Sequence, residues 1–452
     1  VNTVVLDWAT LGVGALLVFL LSAAAAVSLF EEERTAAERL FFLSALSALT
    51  YALSAYAFPA PLQVAFLILP FTLLLIPLLP IRGRKSVRTE ARDRIDERDV
   101  MFSRRSLVPG TDDYESYYAA HPERKALDER FREAPGLLRK GASMYHELMF
   151  GAADATFDTV DQLHTLTEGP VADTRSEVKP EELTDFLKGW LGQHGAHSVG
   201  VTLLREEHCY SHHGRGERYG EPVEVAHRHA IAITVEMDRE MVQRAPAGPI
   251  VMESSRQYLR AGVLAVQAAQ LLRKLGWPAR AHIDGKYDVV CPLVARDAGL
   301  GDIGRMGLLM TPRLGPRVRI AVVTTDAPLR IDLPAHDDSM LDFCARCSKC
   351  ADSCPSQAIP FGPRMDEDGL ARWKIDSDAC FLFWAQVGTD CGRCIAVCPF
   401  AHPDNLLHDL VRRGISRSAP FRRAAVVLDD VLYGRTPPPH QLQDWIPPIP
   451  PS

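Results

Sequence analysis

The 452-residue chain predicts an α+β protein with a membrane-spanning front end and a cysteine-rich module near its C-terminus. Three observations lead there. Three apolar runs crowd into the first 81 residues. Through the middle of the chain, strand-length runs mix with helical patterns but without a regular strand–helix repeat, which describes an α+β layered domain. Eight of the ten cysteines lie between Cys344 and Cys398. The bulk composition conceals all three. With 24% charged residues, 47% hydrophobics and a net charge of -7, the chain is too apolar to be disordered and too acidic for a dedicated nucleic-acid binder, so no nucleic-acid partner is expected. A mean hydropathy of -0.04 excludes a polytopic membrane protein as a description of the whole. At about 150 residues per domain, the length suggests two or three domains.

The apolar runs cover roughly Val4–Phe30, Leu40–Phe58 and Pro61–Ile81. A transmembrane helix needs about 20 mostly apolar residues, and each run is near or above that length. No basic segment precedes the first run and two further runs follow directly, which argues against a cleaved secretory signal. Arg34 and Arg39 are the only basic residues of the first 81, whereas Arg82, Arg84, Lys85, Arg88, Arg92, Arg94 and Arg98 follow the third run. Basic residues stay in the cytoplasm, so the N-terminus is expected outside and everything after about residue 82 inside, at the inner (cytoplasmic) membrane. Pro70 and Pro77 fall in the third run, where neighbouring helices can satisfy the freed carbonyls. The spans hold no His or Cys, which excludes a bis-histidine haem among them. They serve as an anchor or as part of a quinone- or partner-binding surface. Arg104-Arg105 resembles a twin-arginine signal, but Pro109-Gly110 arrives where an apolar segment should follow.

Further along, Glu181–Trp190 reads as a helix with Pro180 at its start. Val199–Leu204 and Ala230–Val235 read as strands. Ser254–Leu275 is a long helix, because Leu259, Val263, Val266, Ala269 and Leu272 recur at helical spacing. Tyr287–Leu293 and Arg317–Thr325 read as buried strands, which leaves Cys291 an inert core thiol. The proline-rich end, from Thr436 to Ile446 and beyond, reads as an extended tail or strap. The expected domains are 1–81, a membrane anchor; 82–330, the catalytic body; 331–410, the cysteine module; and 411–452, a C-terminal extension.

Cys344, Cys347, Cys350 and Cys354-Pro355 follow the full bacterial ferredoxin spacing. Cys380 and then Cys391, Cys394 and Cys398-Pro399 form a second group. In two-cluster ferredoxins the fourth cysteine of a run ligates the other cluster. One [4Fe–4S] cluster is therefore assigned to Cys344, Cys347, Cys350 and Cys398, and the other to Cys380, Cys391, Cys394 and Cys354. Zinc sites do not call for this interleaved run, and disulfides are not expected in the cytoplasm. Two neighbouring clusters make a wire for single electrons.

The second cysteine group sits in Cys380-Phe-Leu-Phe-Trp-Ala-Gln-Val-Gly-Thr-Asp-Cys391, and upstream lies Asp297-Ala-Gly-Leu-Gly-Asp-Ile-Gly-Arg-Met-Gly307. Together these resemble the corrinoid-dependent reductive dehalogenases and, more distantly, the epoxyqueuosine reductases, over roughly residues 95–410. The resemblance implies a nitroreductase-like α+β core that holds cobalamin, joined to a ferredoxin-like module. Gly299, Gly301 and Gly304 formally match a dinucleotide fingerprint, but Pro312, Gly315 and Pro316 interrupt any following helix. A loop that lets backbone approach a large flat cofactor is the better reading, with Gly299, Gly301, Gly304, Arg305 and Gly307 as candidate corrinoid contacts.

The family uses a tyrosine as proton donor, assisted by an Asn or Lys and an Arg. The matching positions are Tyr258, on the long helix that Arg273-Lys-Leu-Gly276 closes, then Lys286 in His282-Ile-Asp-Gly-Lys286, and Arg319. A free phenol titrates near 10, and an adjacent cation stabilises the phenolate. His208-Cys-Tyr-Ser-His-His213 is a metal site, a cavity wall or a polar loop. The expected activity is reduction of a carbon–halogen bond in an organohalide, with electrons from a low-potential donor such as a ferredoxin, a flavodoxin or a quinol system. Two alternatives carry different chemistry: a corrinoid reductase of an epoxide or other electrophile, whose acid would be a carboxylate, and a membrane-bound electron-transfer subunit with no substrate site.

Overall fold

The computed structural model describes residues 3–79, 81, 93–224, 226–334, 338–367 and 370–447. Arg82, Arg84, Lys85, Arg88 and Arg92 lie outside the described residues, as does the end of the proline-rich tail from 448. The chain opens with α1 (Thr3–Phe30), α2 (Arg34–Ala57) and α3 (Ala60–Leu78). Short helices α4 (Met101–Ser106), α5 (Asp112–Ala120) and α6 (Pro122–Glu133) precede the longer α7 (Glu147–Leu163) and α8 (Pro180–Gln193). Then come β1 (Ser198–Leu203), β2 (His229–Glu236), α9 (Arg239–Gln243), α10 (Gly248–Lys274), β3 (Ala279–His282), α11 (Cys291–Asp297), β4 (Asp302–Ile303), β5 (Leu309–Met310) and β6 (Val318–Thr325). The cysteine region contains α12 (Asp338–Cys347), α13 (Lys349–Asp352), the hairpin β7 (Met365–Glu367) and β8 (Leu370–Arg372), α14 (Ser377–Val387) and α15 (Arg393–Ala396). Two helices follow, α16 (Leu406–Arg417) and α17 (Ala419–Tyr433).

These elements form two compact units. One gathers Val1–Lys85, Asp338–Cys347 and Pro403–Pro437; the other holds Ser86–Asp337, Ser348–His402 and Pro438–Ser452. In the first, α1 and α2 are long and apolar enough to cross a membrane, and α3 adds a shorter apolar stretch, Ala60–Leu73. Two pairs of polar side chains meet between the helices of this bundle. Ser22 and Ser44 hydroxyls lie 2.9 Å apart, and the Gln63 amide donates to Asp7 at 3.0 Å.

The second unit is layered around a four-stranded antiparallel sheet of order β1-β2-β6-β3. Successive strand residues face opposite sides. Ile231, Ile233, Val235, Ala321 and Val323 therefore pack under α10, against Leu264, Ala265, Ala268 and Leu272. Ala230, Ala232 and Val322 face the other way, onto Val294 and Ala295 of α11. The long helix starts at Gly248, six residues before the sequence reading placed it. Pro249 explains this: in the first turn its missing N–H costs nothing, so Gly248-Pro249 opens the helix instead of breaking it. The same effect corrects the Tyr287–Leu293 strand. Only Val289 bridges, to Cys209, and Pro292 then sits in the first turn of α11, which begins at Cys291.

The arginine pair has a structural use. Arg104 is buried between Asp128, at 3.3 Å, and Asp378. Arg105 donates to the Phe131 carbonyl at 3.2 Å.

Candidate active site

Ser254 and Tyr258 lie one turn apart on α10 and so share a face. Arg319 lies on β6 in the same alternation as Ala321 and Val323, which turns it toward α10. Its guanidinium carbon stands 5.0 Å from the centre of the Tyr258 ring. Arg319 donates to Ser254 Oγ at 2.6 Å and to Asp390 Oδ2 at 2.7 Å, and Ser254 also bonds Asp390. Asp390 immediately precedes Cys391, so the arginine is fastened to the cysteine loop. Arg317, two residues earlier, is occupied elsewhere, by Glu236 at 2.7 Å.

A cavity of about 220 Å³ opens beside this pair, lined by Tyr258, Arg319, Asp284, Tyr287, Tyr210 and Leu309 among others. Burial pushes the Tyr258 phenol upward, and Arg319 only partly opposes it. The adjacent cation does not bring this phenol below its ordinary value; the group keeps its proton. Burial likewise raises the Asp284 carboxyl, against the pull of Arg215 and Arg319. Burial weakens the Arg319 cation too, but Tyr258, Asp390 and Asp284 outweigh it and raise its pKa. Behind the lining residue Tyr287, Arg215 lies 5.2 Å from the ring centre and 2.9 Å from Glu97.

The structure brings Tyr258 and Arg319 together but leaves Lys286 out of this lining. The reason is a tight turn at Asp284-Gly285, closed by the Ile283–Lys286 bridge, with Gly285 at φ +77°. The turn sends the Lys286 ammonium to the His164 carbonyl at 3.0 Å and leaves Asp284 at the cavity. Asp284, Asp390 and Ser254 were missed by sequence reasoning. The Asp-Gly pair was the available signal for Asp284, because it favours a two-residue turn. Nothing local marks Asp390 or Ser254.

The glycine loop turns out to be the end of the β4–β5 hairpin. A Cβ on Gly301 would stand 2.1 Å from the Met310 carbonyl, and Gly307, at φ +75°, packs against Ile375. Arg305 is buried, donating to the Pro360 carbonyl at 2.7 Å and lying 4.9 Å from the Trp373 ring centre. Leu308 and Leu309, just beyond, reach the cavity instead. In the histidine-rich loop, His208 is bonded to Asp297 at 3.0 Å, and Tyr210 is its cavity residue. Cys291 lines the cavity, and burial pushes its thiol up to about 12. A protonated thiol is unreactive.

The cysteines assigned to one cluster, Cys354, Cys380, Cys391 and Cys394, are all in the second unit. Burial pushes Cys380 up to about 11 and Cys391 up to about 12, and the neighbouring thiols of the set add to each rise. Burial raises Cys394 well above its ordinary value, and Cys391, then Cys350 of the other set, Cys380 and Cys354 add to the rise. Thiols raised in this way at Cys380, Cys391 and Cys394 fit a cationic iron core, which would favour their thiolates. Cys344 and Cys347 close α12 in the first unit, and Cys350 and Cys398 belong to the second. Among the described residues no three His, Cys, Asp or Glu side chains converge on one metal ion. A cubane does not require that, since each thiolate takes its own iron.

Residues 343–402 match the model of the 4Fe-4S dicluster domain. The fold is that of the solved reductive dehalogenases. A catabolic reductive dehalogenase in complex with 3-bromo-4-hydroxybenzoic acid superposes with a TM-score of 0.63 at 24% identity, over 78% of this chain and 49% of that one. In sequence the chain is similar to particular members. It is 32% identical over 291 residues to the tetrachloroethene reductive dehalogenase of Sulfurospirillum multivorans, covering 56% of this chain and 58% of that one. It is 34% identical over 219 residues to the enzyme of the same name from Desulfitobacterium hafniense, covering 46% and 39%. The epoxyqueuosine reductase of Pseudomonas aeruginosa is 26% identical over 230 residues, covering 44% and 62%. The chain thus spans about three fifths and two fifths of the length of these two tetrachloroethene dehalogenases.

Proposed function

We propose that this chain is a membrane-anchored, corrinoid-dependent reductase that replaces a carbon-bound halogen with hydrogen, using electrons from two [4Fe–4S] clusters. One observation carries the reading. Arg319 stands over Tyr258 at a cavity while fastened to Asp390, next to a cluster cysteine, so proton donor, cation and electron wire meet at one place. The cavity also suits a bound cofactor: Arg319 Nε is buried there without a hydrogen-bond partner among the described residues, a donor that an amide-rimmed corrinoid can satisfy. Arg319, Tyr258 and Leu309 would hold it on this side. When bound, the corrinoid supplies low-potential reduction of the carbon–halogen bond.

The remaining work belongs to the chain. The net change is R–X plus two electrons and one proton giving R–H and halide. Tyr258, kept protonated by burial, supplies the proton to carbon. Arg319 stabilises the departing halide and the phenolate left on Tyr258. Ile283, Val289, Leu308 and Ile320 give the rest of the cavity apolar walls, and a low local dielectric strengthens both effects. Residues 82–330 form the catalytic body and 331–410 the electron-delivery module. A second cavity of about 400 Å³, flanked by Pro355, Ser356, Asp376 and Ala379, lies beside Cys354 and Cys380 and is where a low-potential donor would approach. The apolar helices hold the protein in the cytoplasmic membrane, N-terminus outside and body inside.

Metal analysis followed by a screen of aryl and alkyl halides with a low-potential reductant tests the reading. The expected result is one cobalt per chain beside the iron of both clusters, and halide release. Iron without cobalt would leave an electron-transfer subunit. Asp284 supports a second reading, because a buried carboxyl at the cavity suits reduction of an epoxide or similar electrophile with the carboxyl as acid. Turnover of epoxides and none of halides would select it.

A further inference from the structure

α16 and α17 are inside out. α16 buries His408 and Arg412 and exposes Leu406 (74%), Leu407, Leu410 and Val411. α17 buries Arg422 and Asp429 and exposes Val427, Leu428 and Val431. The buried charges are paired within the unit. His408 reaches Glu31 at 3.2 Å, and Arg422 reaches Asp342 at 2.7 Å. Helices in water turn their apolar stripe to the core. Here the stripe faces outward, and contiguous exposed apolar surface marks a binding face.

The structure also places these helices at one end of the apolar bundle. The antiparallel run of α1, α2 and α3 puts the end of α1, the start of α2 and the end of α3 at one end of it. Glu31, after α1, bonds Asn405 and His408. Arg39, near the start of α2, donates to the Val431 carbonyl at 2.6 Å. Ile81, after α3, accepts from the Ala419 N–H at 3.0 Å. All three contacts fall at that same end.

We infer that α16 and α17 form a collar at one end of the spans and lie in the lipid headgroup layer, their apolar face against the acyl chains. Amphipathic helices take this position, with the apolar face sunk to the boundary between headgroups and chains. Exposed Arg413 and Arg417 continue the outward face of α16 and Arg423 precedes that of α17, where such side chains suit lipid phosphates. The C-terminal extension is then a second membrane attachment. This rests on the membrane-anchor reading above.

The test uses the full-length holoprotein in vesicles. An azide-bearing amino acid replaces Phe19, Leu410 or Leu428 in separate samples and is coupled to a dye, and lipids brominated at shallow or deep acyl positions serve as quenchers. The expected result is loss of emission at Leu410 and Leu428 with shallow bromines and at Phe19 with deep ones. Quenching at Phe19 alone would overturn the collar and leave the anchor standing. Quenching nowhere would overturn both. Collar emission that follows protein density instead of bromination would show a second copy on this face and overturn the collar.

Discussion

The two units solve opposite solvent problems. In the second, Ile231, Ile233 and Val323 are fully buried under α10, and Ser254, Asp390 and Arg319 form a polar network beside the cavity. In the first, Phe19, Leu53 and Leu428 are exposed, while Arg422 and His408 are buried and paired. The hydrophobic effect removes apolar surface from water only where water is the solvent. Residue type alone therefore does not say which side of a helix is inside; the surroundings do.

Single substitutions in each unit test this contrast. The largest effect is expected at the electron wire. Cys391→Ser should abolish turnover and lower iron from about eight to about four per chain, measured by metal analysis. Full iron with full turnover would remove Cys391 from the ligand set. Tyr258→Phe should lower turnover by about 10²- to 10⁴-fold with both clusters intact, read by steady-state kinetics beside low-temperature EPR. An unchanged rate would exclude Tyr258 as the donor.

Arg104→Leu leaves Asp128 buried without its cation, and denaturant unfolding of the second unit should register a loss of about 3–5 kcal/mol. A loss well under 1 kcal/mol would mean that Asp128 takes up a proton cheaply. Asp284 sets a pH dependence. Its folded pKa is raised by burial, so the protonated form is favoured in the fold and is lost as pH rises through the raised value. If its proton serves the reaction, the rate falls across that window and Asp284→Asn removes the fall; a limb that persists in the variant belongs to another group. The smallest effect lies in the first unit. Ser418 caps α17 by accepting from the Phe421 N–H, and Ser418→Ala should cost about 1 kcal/mol in thermal unfolding.

Much of this was legible beforehand, for reasons tied to period and spacing. Two strands, β1 and β2, and helix α8 fall where their apolar patterns place them, because those patterns repeat within a few residues. The cysteine module is read by spacing alone. The misplaced pieces share one cause: Pro249 and Pro292 open helices, and a proline looks the same in sequence whether it starts a helix or stops one. At the site, Tyr258 and Arg319 sit on regular elements whose facing follows from period. Lys286 sits past a turn, and the Asp284-Gly285 geometry sends it away from the cavity.

The α+β class, the apolar helices and the dicluster module could be read from the chain alone, because each is written in local composition or in short fixed spacings. Only the tertiary structure decided which polar groups meet. Asp390 reaches Arg319 across 71 residues and Ser254 across 136, and Asp284 comes to the cavity by the hand of one turn. No local pattern records those distances, since they follow from how β6, α10 and the cysteine loop pack.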